Sequence, residues 1–164
     1  MQLVIEHTWD GHPLPTPAAT LSIQRNWHLT VTAPFHNDPP PSNPPGSCWK
    51  LWEHEVVELF VLGEDDQYLE VELGPHGHHL VLRLHGVRNI IEQQLPLDYR
   101  VTHSQGRWHG STALHPDWLP TGTLRVNAYA IHGTGAHRQY AAWAPVPGPQ
   151  PDFHRLQYFR PLTW

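Results

Sequence analysis

The chain has 164 residues, 39% of them hydrophobic and only 15% charged, which fits one folded domain with a real core and excludes a disordered chain. Eighteen prolines and twelve glycines favour short strands and turns over long helices. Net charge is −5 with the fifteen histidines neutral, and protonating all of them would carry it to +10.

Ten scattered Lys and Arg form no basic patch for nucleic acid. No apolar run is long enough to span a bilayer, and the opening MQLVIEHTWDG lacks a basic-then-apolar leader pattern. A single cysteine, Cys48, excludes an intrachain disulfide framework and points to a reducing, cytoplasmic setting.

In chain order, alternation from Leu3 to Thr8 predicts a first strand that ends at the Trp9-Asp10-Gly11 turn. Residues Thr20–Arg25 and Trp27–Ala33 read as a hairpin, with Leu29, Val31 and Ala33 on its core face. A proline-dense loop, 34–47, follows; it excludes helix and central strand and carries apolar anchors, Phe35 and Trp49, near its ends.

The segment Glu55–Leu62 is apolar on both faces, so it is expected at the centre of a sheet covered on both sides. Glu58 interrupts one of those faces, between Val56 and Phe60. A carboxyl there must be hydrogen-bonded, paired or neutral. The hairpin of Tyr68–Leu73 with His78–His85 is predicted around a four-residue loop, Gly74–Gly77, placing Leu73 opposite His78, Glu70 opposite Val81 and Tyr68 opposite Arg83. That register puts Leu69, Val71, Leu80 and Leu82 on an apolar side, and Tyr68, Glu70, Glu72, His79, Arg83 and His85 on a polar one.

Further on, Val87–Leu95 is a candidate strand, and Tyr99–His103 pairs with Arg107–Ala113 about Ser104-Gln105-Gly106. His115–Leu119 reads as the one short helical turn. Thr123–Ile131 and Gln139–Ala144 complete the long strands, and Phe153–Trp164 returns as an aromatic-rich tail. Nine or ten short strands predict an all-β fold, an antiparallel sandwich of jelly-roll or immunoglobulin-like type, as a single domain over 1–164.

His76 and His78 form a His-x-His pair like that of cupin metal sites, but the following glutamate is absent, so no metal or cofactor is expected. No nucleophile elbow or phosphate-cradling loop occurs. Glu55 and Glu58, three apart on a strand, point to opposite faces and do not form an acid–base pair. Of the eight tryptophans, Trp49 and Trp52 flank the proline-rich loop and are the best placed to stack on a ligand.

Several motifs together resemble an uncharacterised protein family: IEHTWDG (5–11), APF (33–35), DPP (38–40), LWEHEVVELF (51–60) and QYLEVELGPHGHHLVL (67–82), extended by AIHG (130–133), PVP (145–147) and PDFHRLQYF (151–159). The central pattern is similar to the DOMON-like and carbohydrate-binding module family 9-like β-sandwiches, which implies a sandwich with a small-ligand or sugar site. DOMON haem domains ligate through Met and His, whereas the only methionine here is Met1.

The function expected from these features is non-catalytic binding of a carbohydrate or carbohydrate-like small molecule. Trp52 would stack on it; Glu58, Tyr68, Glu70, Arg83, His132 and His154 would make polar contacts. The alternatives are an enzyme acting on a small sugar with Glu58 and His132 or His154 as acid and base, and a structural or protein-interaction module.

Overall fold

The computed structural model describes residues 1–164. Two sheets pack through a shared core. The smaller has the strand order β1 (Gln2–Ile5), β3 (Ala19–Ile23), β4 (His28–Pro34), β11 (Arg107–Ala113), β10 (Arg100–Ser104). The larger is centred on β6 (Val56–Leu62). On one side of β6 lie β12 (Arg125–His132), β13 (Gln139–Ala142) and β2 (His7–Thr8); on the other lie β7 (Gln67–Leu73), β8 (His78–His85) and β5 (Gly46–Ser47). Two short strands extend its margins: β9 (Ile90–Gln93) beside β8 and β14 (Arg160–Pro161) beside β12. All pairings are antiparallel except β5 with β8.

The expected all-β antiparallel sandwich is therefore the observed fold. The strand count is fourteen rather than nine or ten, and three of the strands are only two residues long. The expected first strand is split: Ile5 pairs with Ala19 in the smaller sheet, and His7 pairs with Ala142 in the larger. One apolar alternation thus serves both sheets. Helical structure consists of four single 3₁₀ turns, at Leu51–Glu53, Pro116–Trp118, Gly135–His137 and Leu156–Tyr158, where the sequence suggests only the second. No helix is long and apolar enough to cross a membrane.

The larger sheet is apolar on both faces. Its inner face supplies Val57, Leu59, Val61, Leu69, Val71, Val81 and Ala128 to the core shared with Leu3, Leu21, Leu29, Val31 and Trp108 of the smaller sheet. Its outer face carries a second cluster, with Phe60, Leu62, Tyr68, Leu80, Leu82, Leu84, Tyr129 and Ile131. Cys48, Leu51, Val146, Phe153, Leu156 and Phe159, from the loops at 46–55 and 143–159, cover it. This double coverage makes every residue of β6 buried, as its two apolar faces demand.

The β7–β8 register differs from the sequence expectation by one residue. Leu73 opposes His79, Glu72 opposes Leu80, Glu70 opposes Leu82, and Leu69 opposes Arg83. The connection is a three-residue turn, Pro75-His76-Gly77, closed by the Gly74 N–H donating to the His78 carbonyl and ending on Gly77 at φ +85°. The shift moves Leu80, Leu82 and Leu84 onto the face that holds Tyr68, Glu70 and Glu72, and sends His79 and Arg83 to the other. A sheet wet on one side would penalise that mixing; a sheet dry on both sides does not.

The proline-rich loop 34–47 is tied to its surroundings. The Glu55 carboxylate accepts from the His36 and Asp38 N–H groups at 3.1 and 3.3 Å, His78 Nε2 lies 2.8 Å from the Asn43 carbonyl, and the loop ends as β5 on the edge of β8.

Candidate functional site

The second cluster does not fill the outer face. A cavity of about 710 Å³ lies over β6 and β7, between the turn that carries Trp52 and the segment that carries His154. Its floor follows from register. Glu58 on β6 stands directly opposite Glu72 on β7, with Tyr129 of β12 on its other side, and Glu70 lies two residues from Glu72 on the same face. The three side chains are almost completely removed from solvent, at 2% (Glu58), 4% (Glu70) and 0% (Glu72) exposure.

No Lys or Arg comes within ion-pair reach of these carboxyls; the nearest cationic candidate is His154, whose Nε2 is 4.0 Å from Glu70 Oε2. Glu70 Oε2 and both Glu72 oxygens have no partner beyond the contact of the two carboxyls with each other, which favours the proton on Glu72 over Glu70. Burial accordingly raises all three above the usual carboxylate range, Glu70 to about 8. Mutual repulsion adds to the rise at Glu58 and Glu72, while Arg138 partly offsets it at Glu58. Burial and repulsion thus both favour the neutral, protonated carboxyl in this group.

A polar chain supports one end of the floor. The Arg88 backbone N–H donates to Tyr68 Oη at 3.0 Å, and the Tyr68 hydroxyl shares a hydrogen bond with His154 Nδ1, 2.8 Å away. Burial, and secondarily the Arg88 charge, lowers His154 to about 4 and keeps its ring neutral. The other ring nitrogen, Nε2, faces Glu70, 4.0 Å from its Oε2. Asp152 anchors this end, accepting from Arg88 at 2.7 Å and from the His154 N–H at 3.1 Å.

At the opposite end Arg138 donates to the carbonyls of Glu53 (2.8 Å), Gly133 (3.3 Å) and Trp52, with its guanidinium over the Tyr140 ring. Trp49 and Trp52 meet edge to face at 5.2 Å on the rim, and Trp49 is 42% exposed. The walls are apolar: Phe60, Leu82, Leu84, Ile131 and Phe153, the last stacked on Tyr129 at 3.8 Å.

Of the residues singled out by sequence, Trp52, Glu58, Glu70 and His154 line this cavity, and Tyr68 stands behind His154. Arg83 does not reach it. The one-residue register shift places it on the inner face, where it binds Glu92 of β9 at 2.9 Å. His132 does not reach it either: it alternates with Ala130 onto the inner face of β12 and stacks on His36 at 3.6 Å. Arg88, Arg138, Tyr140 and Asp152 were not singled out, because each lies in or beside a turn with no local pattern to mark it. No group of three or more His, Cys, Asp or Glu side chains is arranged to hold a metal ion, and His76 and His78 instead face the Asp38 and Asn43 carbonyls.

Fold and site together define a class: an antiparallel β-sandwich with a deep, largely apolar cavity on the outer face of its larger sheet. No protein-family model matches the chain. It is 45% identical to the UPF0462 protein C4orf33 homolog of Danio rerio, covering 99% of this chain and 89% of that protein, and 42% identical to UPF0462 protein C4orf33 of Homo sapiens, covering 100% and 88%. The chain belongs to the UPF0462 family. Among solved structures, it resembles the crystal structure of a "putative carbohydrate-binding protein" from Bacteroides uniformis, with a TM-score of 0.70, 14% identity and coverage of 98% of this chain and 84% of that one. At that identity the likeness is one of fold.

Proposed function

We propose that this protein binds a carbohydrate or carbohydrate-like small molecule in the cavity over β6 and β7. The observation that carries the reading is the pairing of a tryptophan rim with a floor of buried, cation-free carboxyls in a cavity of about 710 Å³. A tryptophan face covers the C–H side of a sugar ring, and the Glu58 and Glu70 carboxyls that line the floor exchange hydrogen bonds with its hydroxyls. The fold of the Bacteroides protein, and the resemblance of the central pattern to sugar-binding modules, support the same reading.

The arrangement favours binding over acid–base turnover. His154 Nδ1 is occupied by the Tyr68 hydroxyl, and its Nε2 lies against Glu70 on the floor. His132, the other proposed partner of Glu58, is outside the cavity.

A thermal-shift screen of neutral sugars, sugar acids and polyols tests the proposal. A ligand at 100 times its Kd stabilises by about 2.7 kcal/mol, which for a chain of this size corresponds to roughly 5–10 °C. Trp52→Ala should remove most of that shift. No shift with any member of the panel would contradict the proposal.

A further inference from the structure

We infer that the ligand is an acidic sugar, a polyol bearing one carboxylate, whose carboxylate is held by Arg138 and whose hydroxyls meet Glu58 and Glu70. The inference rests on the sugar-binding reading and narrows it.

It follows from the charges that line the cavity. Glu53 is answered by Lys50 at 3.2 Å and Asp152 by Arg88 at 2.7 Å. Glu58 and Glu70 lie beside Glu72 in a buried group without a cation at ion-pair distance, and carboxyls so placed keep their protons. Arg138 is the exception: it lines the cavity, it is charged at any working pH, and no carboxylate pairs with it.

Its three hydrogen bonds all go to backbone carbonyls, which fix the guanidinium without neutralising it. Two of its five N–H donors stay free. Arg138 is therefore the one cation of the lining without a carboxylate at ion-pair distance, and it stands at the end nearest the tryptophan rim. Glu58 and Glu70, both among the lining side chains, give the floor the polar groups that the ligand's hydroxyls would meet.

A carboxylate suits this arrangement better than a phosphate does. Planar guanidinium matches planar carboxylate through two parallel hydrogen bonds. A phosphate would bring close to two charges to one unpaired cation, amid carboxyl groups.

Isothermal titration of the full chain at pH 7 with glucuronate and galacturonate, against glucose, galactose, glucuronamide and glucose 6-phosphate, tests this. The amide copies the acid's shape without its charge, so the comparison needs no mutation. The expected result is that at least one acid binds about tenfold or more tighter than its neutral parent, glucuronamide does not share the gain, and Arg138→Gln removes it. Arg138→Lys should restore part of the preference, which separates lost charge from a fold loosened around residues 52–53 and 133. Neutral sugars binding as tightly as the acids would overturn the acidic-sugar inference and leave the sugar reading intact. Preference for glucose 6-phosphate would replace carboxylate by phosphate. If none of these sugars binds, the acidic-sugar inference fails, and the sugar reading falls with it only if the wider thermal-shift panel is also silent.

Discussion

At the scale of single residues, the unusual feature is three glutamates on two adjacent strands with no cation to meet them. Glu58 is visible in the sequence, because an acidic residue flanked by Val56 and Phe60 breaks an otherwise apolar face. Glu70 and Glu72 are not, because strict alternation in Tyr68–Leu73 also describes a strand with one wet face. What buries them is the cover from the 46–55 and 143–159 loops, which local alternation does not announce. Nor does it announce Arg138 and Asp152, each defined by what it touches rather than by its neighbours.

Glu72→Gln should therefore keep the fold and, by deleting one ionisable member of the group, raise Tm at pH 8 relative to the parent. A fall of several degrees would show that Glu72 is ionised and paired. Tyr68→Phe leaves the Arg88 N–H and His154 Nδ1 without their partner, at a cost of about 1–3 kcal/mol in urea unfolding. An unchanged midpoint would place water or another donor there.

At the scale of elements, sequence and structure agree wherever burial is simple. The hairpin of β3 and β4, the turn at Gln105-Gly106 with both residues at positive φ, and the double-faced β6 all follow from local pattern. The β7–β8 register does not, since the pattern Gly-Pro-His-Gly allows a three- or four-residue turn and only the outer coverage decides between them. Gly77 fits the turn at φ +85°, and an added Cβ would lie 3.2 Å from the Pro45 Cβ. Gly77→Ala is expected to cost about 1–2 kcal/mol in unfolding. The proline-rich loop belongs here too. If Glu55 holds it through the His36 and Asp38 amides, Glu55→Ala should speed hydrogen exchange at those two amides while leaving β6 protected.

At the scale of the whole molecule, the buried groups set how stability responds to pH. Glu70 is raised from 4.5 to about 8, so between those values the folded chain holds a proton that the unfolded chain has released, and stability falls as pH rises. Glu58 and Glu72, also raised, act in the same direction. His154, lowered from 6.5 to about 4, has the opposite effect, but only within that range. The two trends oppose one another below pH 6.5, and the carboxyls act alone above it. Tm should decline from pH 6.5 to 8, and a rise over that interval would mean that the carboxyls are ionised in the folded protein.

The central claim, that a sugar sits in the cavity over β6 and β7 beneath Trp49 and Trp52, is tested most directly by the indole N–H resonances of the eight tryptophans. On titration with the sugar giving the largest thermal shift, the signals of Trp49 and Trp52 should move together along one binding curve while those of Trp9, Trp27, Trp108, Trp118, Trp143 and Trp164 stay in place. Shifts confined to the latter set, with Trp49 and Trp52 unmoved, would contradict it.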